Sequence, residues 1–84
     1  MKLLVKASYH IKEVDAYILF IKFIEGDKIK TGDTCYDESD PGLSFTMKNF
    51  ILGTYNYQDK SFQIEIEKPA RPLQDFDEKT FIKN

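Results

Sequence analysis

A lone cysteine, Cys35, leaves this chain unable to form an internal disulfide. Tryptophan is absent, so the seven Phe and five Tyr carry much of the apolar area, each buried Phe contributing roughly 1.5–3 kcal/mol. No apolar run approaches the ~20 residues of a membrane helix, the longest being Ala16 to Ile21. Neither sign of charge dominates. The net charge is −2 and Lys, Asp and Glu are mixed along the chain, which argues against a strong nucleic-acid binder with a basic stripe. A Gly-x-x-x-x-Gly-Lys-Ser/Thr loop is also missing, and with it any P-loop cradle for a nucleotide phosphate. The opening Met1-Lys2-Leu3-Leu4-Val5-Lys6 lacks the apolar core and cleavage site of a secretory leader, so the expectation is a cytoplasmic protein without membrane association.

What is present fits one small globular domain spanning residues 1–84, because a chain of this length holds a single core. From Leu3 to Ile11 every second residue is apolar (Leu3, Val5, Ala7, Tyr9, Ile11), the pattern of a half-buried strand. Ala16 to Ile24 is apolar on nearly both faces and rich in β-branched and aromatic residues, which predicts a central strand covered on both sides over part of its length. Gly26-Asp27-Lys28-Ile29-Lys30-Thr31-Gly32-Asp33 then suits two tight turns around one buried anchor, Ile29, since glycine accepts positive φ angles at little steric cost.

Thr34-Cys35-Tyr36 predicts a short strand, and Asp37-Glu38-Ser39-Asp40-Pro41-Gly42 a loop. Leu43 to Leu52 predicts a further strand, disturbed near Asn49-Phe50, with a bulge or bend at Gly53. Tyr55 and Tyr57 continue the alternation to a turn at Gln58-Asp59-Lys60-Ser61, and Phe62, Ile64 and Ile66 form a strand with one wet face. Residues 68–84 read as a proline-containing connector and C-terminal tail, in which Leu73, Phe76, Phe81 and Ile82 can anchor a final short strand over the open end. The fold class is therefore all-β, a small antiparallel β-barrel of five to six strands, an arrangement that also disposes of exposed sheet edges.

An apolar strand followed by Gly26-x-x-Ile29-Lys30-x-Gly32-Asp33, a loop and the Leu43–Leu52 strand resembles the second β-barrel domain of translational GTPases of the elongation factor Tu type. The resemblance covers roughly Tyr17 to Ile66 and departs from the family where bulky Leu19-Phe20-Ile21-Lys22-Phe23 replaces a glycine-rich segment. It implies a barrel that contacts ribosomal RNA, tRNA or a neighbouring domain. No RNA-contacting residue of the family maps onto a position of this chain.

Residues with chemical potential are few. His10 lies on the polar side of the first strand without a visible partner, and Cys35 behaves as a small buried hydrophobe unless it meets His10 across strands. The acidic stretch from Asp33 to Asp40 fails the calcium-loop pattern, with Pro41 at the fifth place and Lys48 at the twelfth when counted from Asp37. Counted from Asp75, the pattern places Lys79 fifth and no glycine sixth. No metal or other cofactor is expected. Lys48, Tyr55, Tyr57 and Lys60 form the candidate binding set, because aromatics interleaved with lysines can stack bases and neutralise phosphates. Phe76 and Phe81 suit either a docking arm or the core, and a core this small favours the second.

The function expected is a non-catalytic binding or interaction module with a protein or ribonucleoprotein partner. Direct RNA or ribosome binding is the alternative, although the net charge does not favour it, and a thiol-dependent enzyme is the second alternative.

Overall fold

A computed structural model of the chain describes residues 1–83. Six antiparallel strands form one closed ring: β1 (Lys2–Ile11), β2 (Ala16–Glu25), β3 (Thr34–Asp37), β4 (Ser44–Phe50), β5 (Ser61–Ile66) and β6 (Thr80–Ile82). Around the barrel they run β1-β2-β5-β4-β3-β6. One 3-10 turn, Leu73–Phe76, is the sole helical element among the described residues, and none of their helices is long and apolar enough to cross a membrane. The all-β barrel expected from the alternating patterns is therefore the architecture observed, with six strands.

Alternation along the strands aims one face inward, as the pleat requires. Leu19 and Ile21 of β2, Phe45 and Met47 of β4, and Phe62, Ile64 and Ile66 of β5 all lie in the interior cluster. β2 is central, paired to β1 on one side and β5 on the other. On its outer face Ile18, opposite Tyr9 and Glu65, is still only 2% exposed, so this strand is covered on both sides over part of its length.

Two local expectations need correction. A register shift between Val5 and Ala7 breaks β1 into two phases, so Leu3 and Val5 point inward while Ala7, Tyr9 and Ile11 are exposed. The extra residue of a β-bulge turns the following side chains to the opposite face, and a pattern of apolar residues alone does not register it. Ser8 consequently turns toward the 3-10 turn, its hydroxyl bonding the Asp77 carboxylate at 2.7 Å and the Leu73 carbonyl at 3.1 Å. Likewise, Tyr55 and Tyr57 do not extend a strand. They lie in an irregular excursion between β4 and β5, tied to β5 by the Asn56–Ser61 bridge.

The C-terminal segment is part of the wall rather than a cover over one end. β6 pairs with β1 through Lys2–Ile82, Leu3–Phe81 and Leu4–Thr80, and with β3 through Tyr36–Ile82 and Asp37–Phe81. Ahead of it, the Val5 amide donates to the Lys79 carbonyl and the Glu78 amide to the Val5 carbonyl, so the bulged part of β1 is also satisfied. Phe76 and Phe81 stack with ring centroids 5.7 Å apart, and both meet Phe45 edge-on. All three rings lie in the core. Truncating Phe76 to alanine would leave a cavity beside β6 and should cost about 3–5 kcal/mol. Urea unfolding of Phe76→Ala is the measurement, and wild-type stability would mean that the ring closes without this anchor.

Candidate functional site

One end of the barrel is bordered by the Gly26–Asp33 segment. Gly26 and Gly32 have φ of +74° and +93°, the left-handed region where a side chain is strained, and Ile29 between them is buried. The second turn is pinned to β4, because Gly32 N–H donates to the Met47 carbonyl and Met47 N–H to the Asp33 carbonyl, both at 2.8 Å. The Asp33 carboxylate accepts the Lys30 amide at 2.8 Å and lies 3.0 Å from Lys83 Nζ. These partners, the Lys30 amide first and then Lys83, hold its pKa below the usual carboxylate value.

Facing this segment is the excursion from Ile51 to Lys60. Ile51 N–H donates to the Gln63 carbonyl, while the Thr54 hydroxyl donates to the Ile51 carbonyl and accepts the Gln63 amide. The Asp59 carboxylate bonds the Ser61 hydroxyl and amide and lies 3.7 Å from Lys6 Nζ, interactions that depress its pKa. Lys60 takes a φ of +56°, and its carbonyl accepts the Phe23 amide. The excursion is thus held to β5 and β2 by scattered backbone and side-chain hydrogen bonds rather than by a continuous ladder.

Phe50 at the end of β4 and most apolar side chains of the excursion face outward, while Ile51 is half-buried. Phe50 is 47% exposed, Leu52 91%, Tyr55 41% and Tyr57 87%. Between them and the Gly26–Asp33 segment lies a groove of about 230 Å³, with Phe23, Ile29 and Phe62 among its lining residues. Phe62 is its hub, with ring centroids 5.3 Å from Phe23, 5.6 Å from Tyr55 and 5.8 Å from Phe50. Among the described residues Asp27 is the one charged side chain lining it, and Asp27 also borders an adjoining hollow with Lys28, Lys30 and Lys83.

Of the binding residues expected from sequence, the fold brings Tyr55 and Tyr57 together, edge-on with centroids 4.5 Å apart. The lysines stand elsewhere. Lys48 Nζ is 3.6 Å from Glu65 Oε2, and of the four expected residues only Tyr55 lines the groove. Phe23, Asp27, Ile29, Phe50, Leu52 and Phe62 do line it, although the sequence pattern did not group them. A usable signal existed in Phe50-Ile51-Leu52, three successive apolar residues just before Gly53 that no alternating strand can bury together.

Cys35 and His10 are not brought together. Cys35 lies in the barrel interior, fully buried, and burial, with the Asp33 charge as a lesser cause, pushes its pKa up to about 12. His10 is exposed on β1, its Nε2 2.7 Å from Asp15 Oδ1 and its ring stacked on Tyr17. The acidic residues of the Asp33–Asp40 stretch are used internally: Asp37 accepts the Ser39 amide, and Asp40 accepts the Gly42 amide and pairs with Arg71 at 2.8 Å. Among the described residues no group of three or more His, Cys, Asp or Glu could hold a metal ion.

Two measurements follow from these placements. Iodoacetamide at about pH 8 should label Cys35 in the folded protein about a thousandfold more slowly than a free cysteine, given the scarce thiolate. A rate near that of free cysteine would place the thiol in solvent. For Asp33, whose folded pKa lies below the unfolded value of about 3.9, the stabilisation is complete above that value and lost as pH falls through the folded pKa. Acid titration of unfolding should therefore show a shallower fall below about pH 4 for Asp33→Asn than for the wild type. Identical acid profiles would remove Asp33 from the set of stabilising carboxylates. No family model, curated protein or solved structure matches the chain.

Proposed function

We propose that this chain is a non-catalytic binding module of the cytoplasm, a barrel similar to the second domain of translational GTPases, which engages a protein partner at the groove between Gly26–Asp33 and Ile51–Lys60. The observation that carries the reading is the exposure of Phe50, Leu52, Tyr55 and Tyr57 within one short segment that borders a formed groove. Scattered apolar residues are normal on a protein surface, whereas a contiguous patch with a concave centre marks an interaction site. A closed ring has no free strand edge to offer along its length, so recognition falls to side chains at its ends.

The likeness to the translation-factor barrel rests on the Gly26–Asp33 turn, with two positive-φ glycines around buried Ile29, within a six-stranded antiparallel ring. Direct RNA binding is the second reading, favoured by the outward Tyr55–Tyr57 pair. A protein partner is preferred because the described residues that line the groove are mostly apolar and include no lysine or arginine, and Lys48 is paired with Glu65.

Photo-crosslinking from position 52, with exposed Glu13 as the control site, separates the two readings. The expected result is one discrete, RNase-resistant protein adduct from position 52 alone, whose purified partner binds Leu52→Asp at least roughly tenfold more weakly, as loss of a buried anchor implies. Adducts dominated by RNA would shift the function to the second reading, and an adduct pattern equal to that from Glu13 would remove the groove from function.

A further inference from the structure

We infer that the slot between β1 and β3 accepts residues 73–83 of a second copy of the chain as well as its own, so that folding at high concentration yields a dimer with this segment exchanged. This goes beyond the binding-module reading and does not depend on it.

The segment is held by partners that do not depend on how it is joined to the chain. β6 pairs with β1 and β3 alone. Ahead of it the Ser8 hydroxyl bonds Leu73 and Asp77, Val5 bonds Lys79 and Glu78, and the Glu38 amide donates to the Thr80 carbonyl at 2.9 Å. Beyond it the Lys83 amide donates to the Met1 carbonyl, and Lys83 Nζ meets the Asp33 carboxylate. The same segment from another chain makes each of these bonds unchanged, together with the packing of Phe76 and Phe81 on Phe45.

The joint, by contrast, is loosely held. Among the described residues, 68–72 form no backbone hydrogen bond with the ring, and all but Pro69 are exposed. Their one ion pair with the barrel, Arg71 to Asp40, is exposed as well and contributes little. They carry the chain from Glu67, whose amide donates to Thr46 of β4, to Leu73 beside Ser8 of β1. β4 and β1 stand opposite each other in the ring, so the connection crosses one end of the barrel, and Pro69 and Pro72 keep it extended. Exchange of an identical element replaces every contact it breaks and alters only such a joint, which makes it a low-cost route to a dimer. Concentration then decides, because a tethered segment competes at an effective concentration of about 1 mM. Withdrawing two buried phenylalanines is slow, so the choice is made during folding and kept afterwards. The groove lies at the other end of the barrel, where β5 begins, and an exchanged dimer therefore presents two of them.

Refolding the full chain from guanidinium chloride at about 1 μM and at about 1 mM, then sizing both samples at one low concentration, tests this, because the tethered segment competes near the higher value. The expected result is monomer from the dilute sample and comparable amounts of monomer and dimer from the concentrated one. The dimer should survive dilution and revert only after a second round of unfolding. Co-refolding Tyr36→Cys with a tagged Ile82→Cys chain then identifies the exchanged element. Positions 36 and 82 are paired across β3 and β6, at the separation a disulfide spans, so the mixed bond reports a segment of one chain seated in the other. Glu13→Cys in place of Tyr36→Cys gives the background, and circular dichroism checks that each variant keeps the barrel. The mixed disulfide should exceed that background at least about tenfold after refolding at about 1 mM, and equal it when folded chains are merely mixed. Monomer alone after concentrated refolding would overturn the inference, as would a dimer that dissociates on dilution or lacks the 36–82 bond. The wild-type sizing decides alone if a cysteine variant loses the barrel.

Discussion

Closure of the ring by β6 is the constraint on which the rest of the structure depends. Three residues, Thr80–Ile82, occupy the gap between β1 and β3, and without them both strands would present unpaired amides and carbonyls. The same segment places Phe81 in the interior against Phe45 and Phe76. Backbone pairing and core packing are therefore supplied by one short strand, in a chain too small to lose either.

With the wall closed, departures from regularity concentrate where the strands are joined. The Gly26–Asp33 connection carries the chain from β2 to β3 on the far side of the ring, anchored by Ile29 and tied to β4 at Met47. The Ile51–Lys60 excursion lengthens the link from β4 to β5. Hydrogen bonds through Thr54, Asn56 and Asp59 brace it, and Tyr55 packs on Phe62. Phe50, Leu52 and the two tyrosines are then free to face outward, and the groove is the space between two independently braced connections. The binding function proposed for it draws on this: Phe50 and Tyr55 rest one side on Phe62 and leave the other side exposed.

Much of the fold was legible in the chain. Alternation in β4 and β5, the two-sided apolarity of β2 and the paired glycines around Ile29 each reflect a local steric or periodic requirement, so each could be read from a few neighbouring residues. The bulge in β1 could not, because Ser8 and Val5 find their partners about seventy residues later, at Asp77 and Glu78. The candidate site was half legible. Tyr55 and Tyr57 stood out as neighbours, but Lys48 was grouped with them by sequence proximity alone, while in the fold its charge turns to Glu65. Phe23 and Asp27 border the groove from one part of the chain, and Phe50 and Phe62 from two others.

By itself, then, the sequence determined the class: an all-β chain with short alternating strands, a glycine-framed turn, and a composition that leaves its single thiol as a core residue. Those properties are local, set by side-chain period, by φ-angle permission at glycine and by the balance of apolar and charged residues. Tertiary structure alone decided which strand closes the barrel, which aromatics remain outside it, and which residues meet at the groove. Each of these depends on contacts between residues far apart in the chain, whose pairing is settled only when the whole ring is assembled at once.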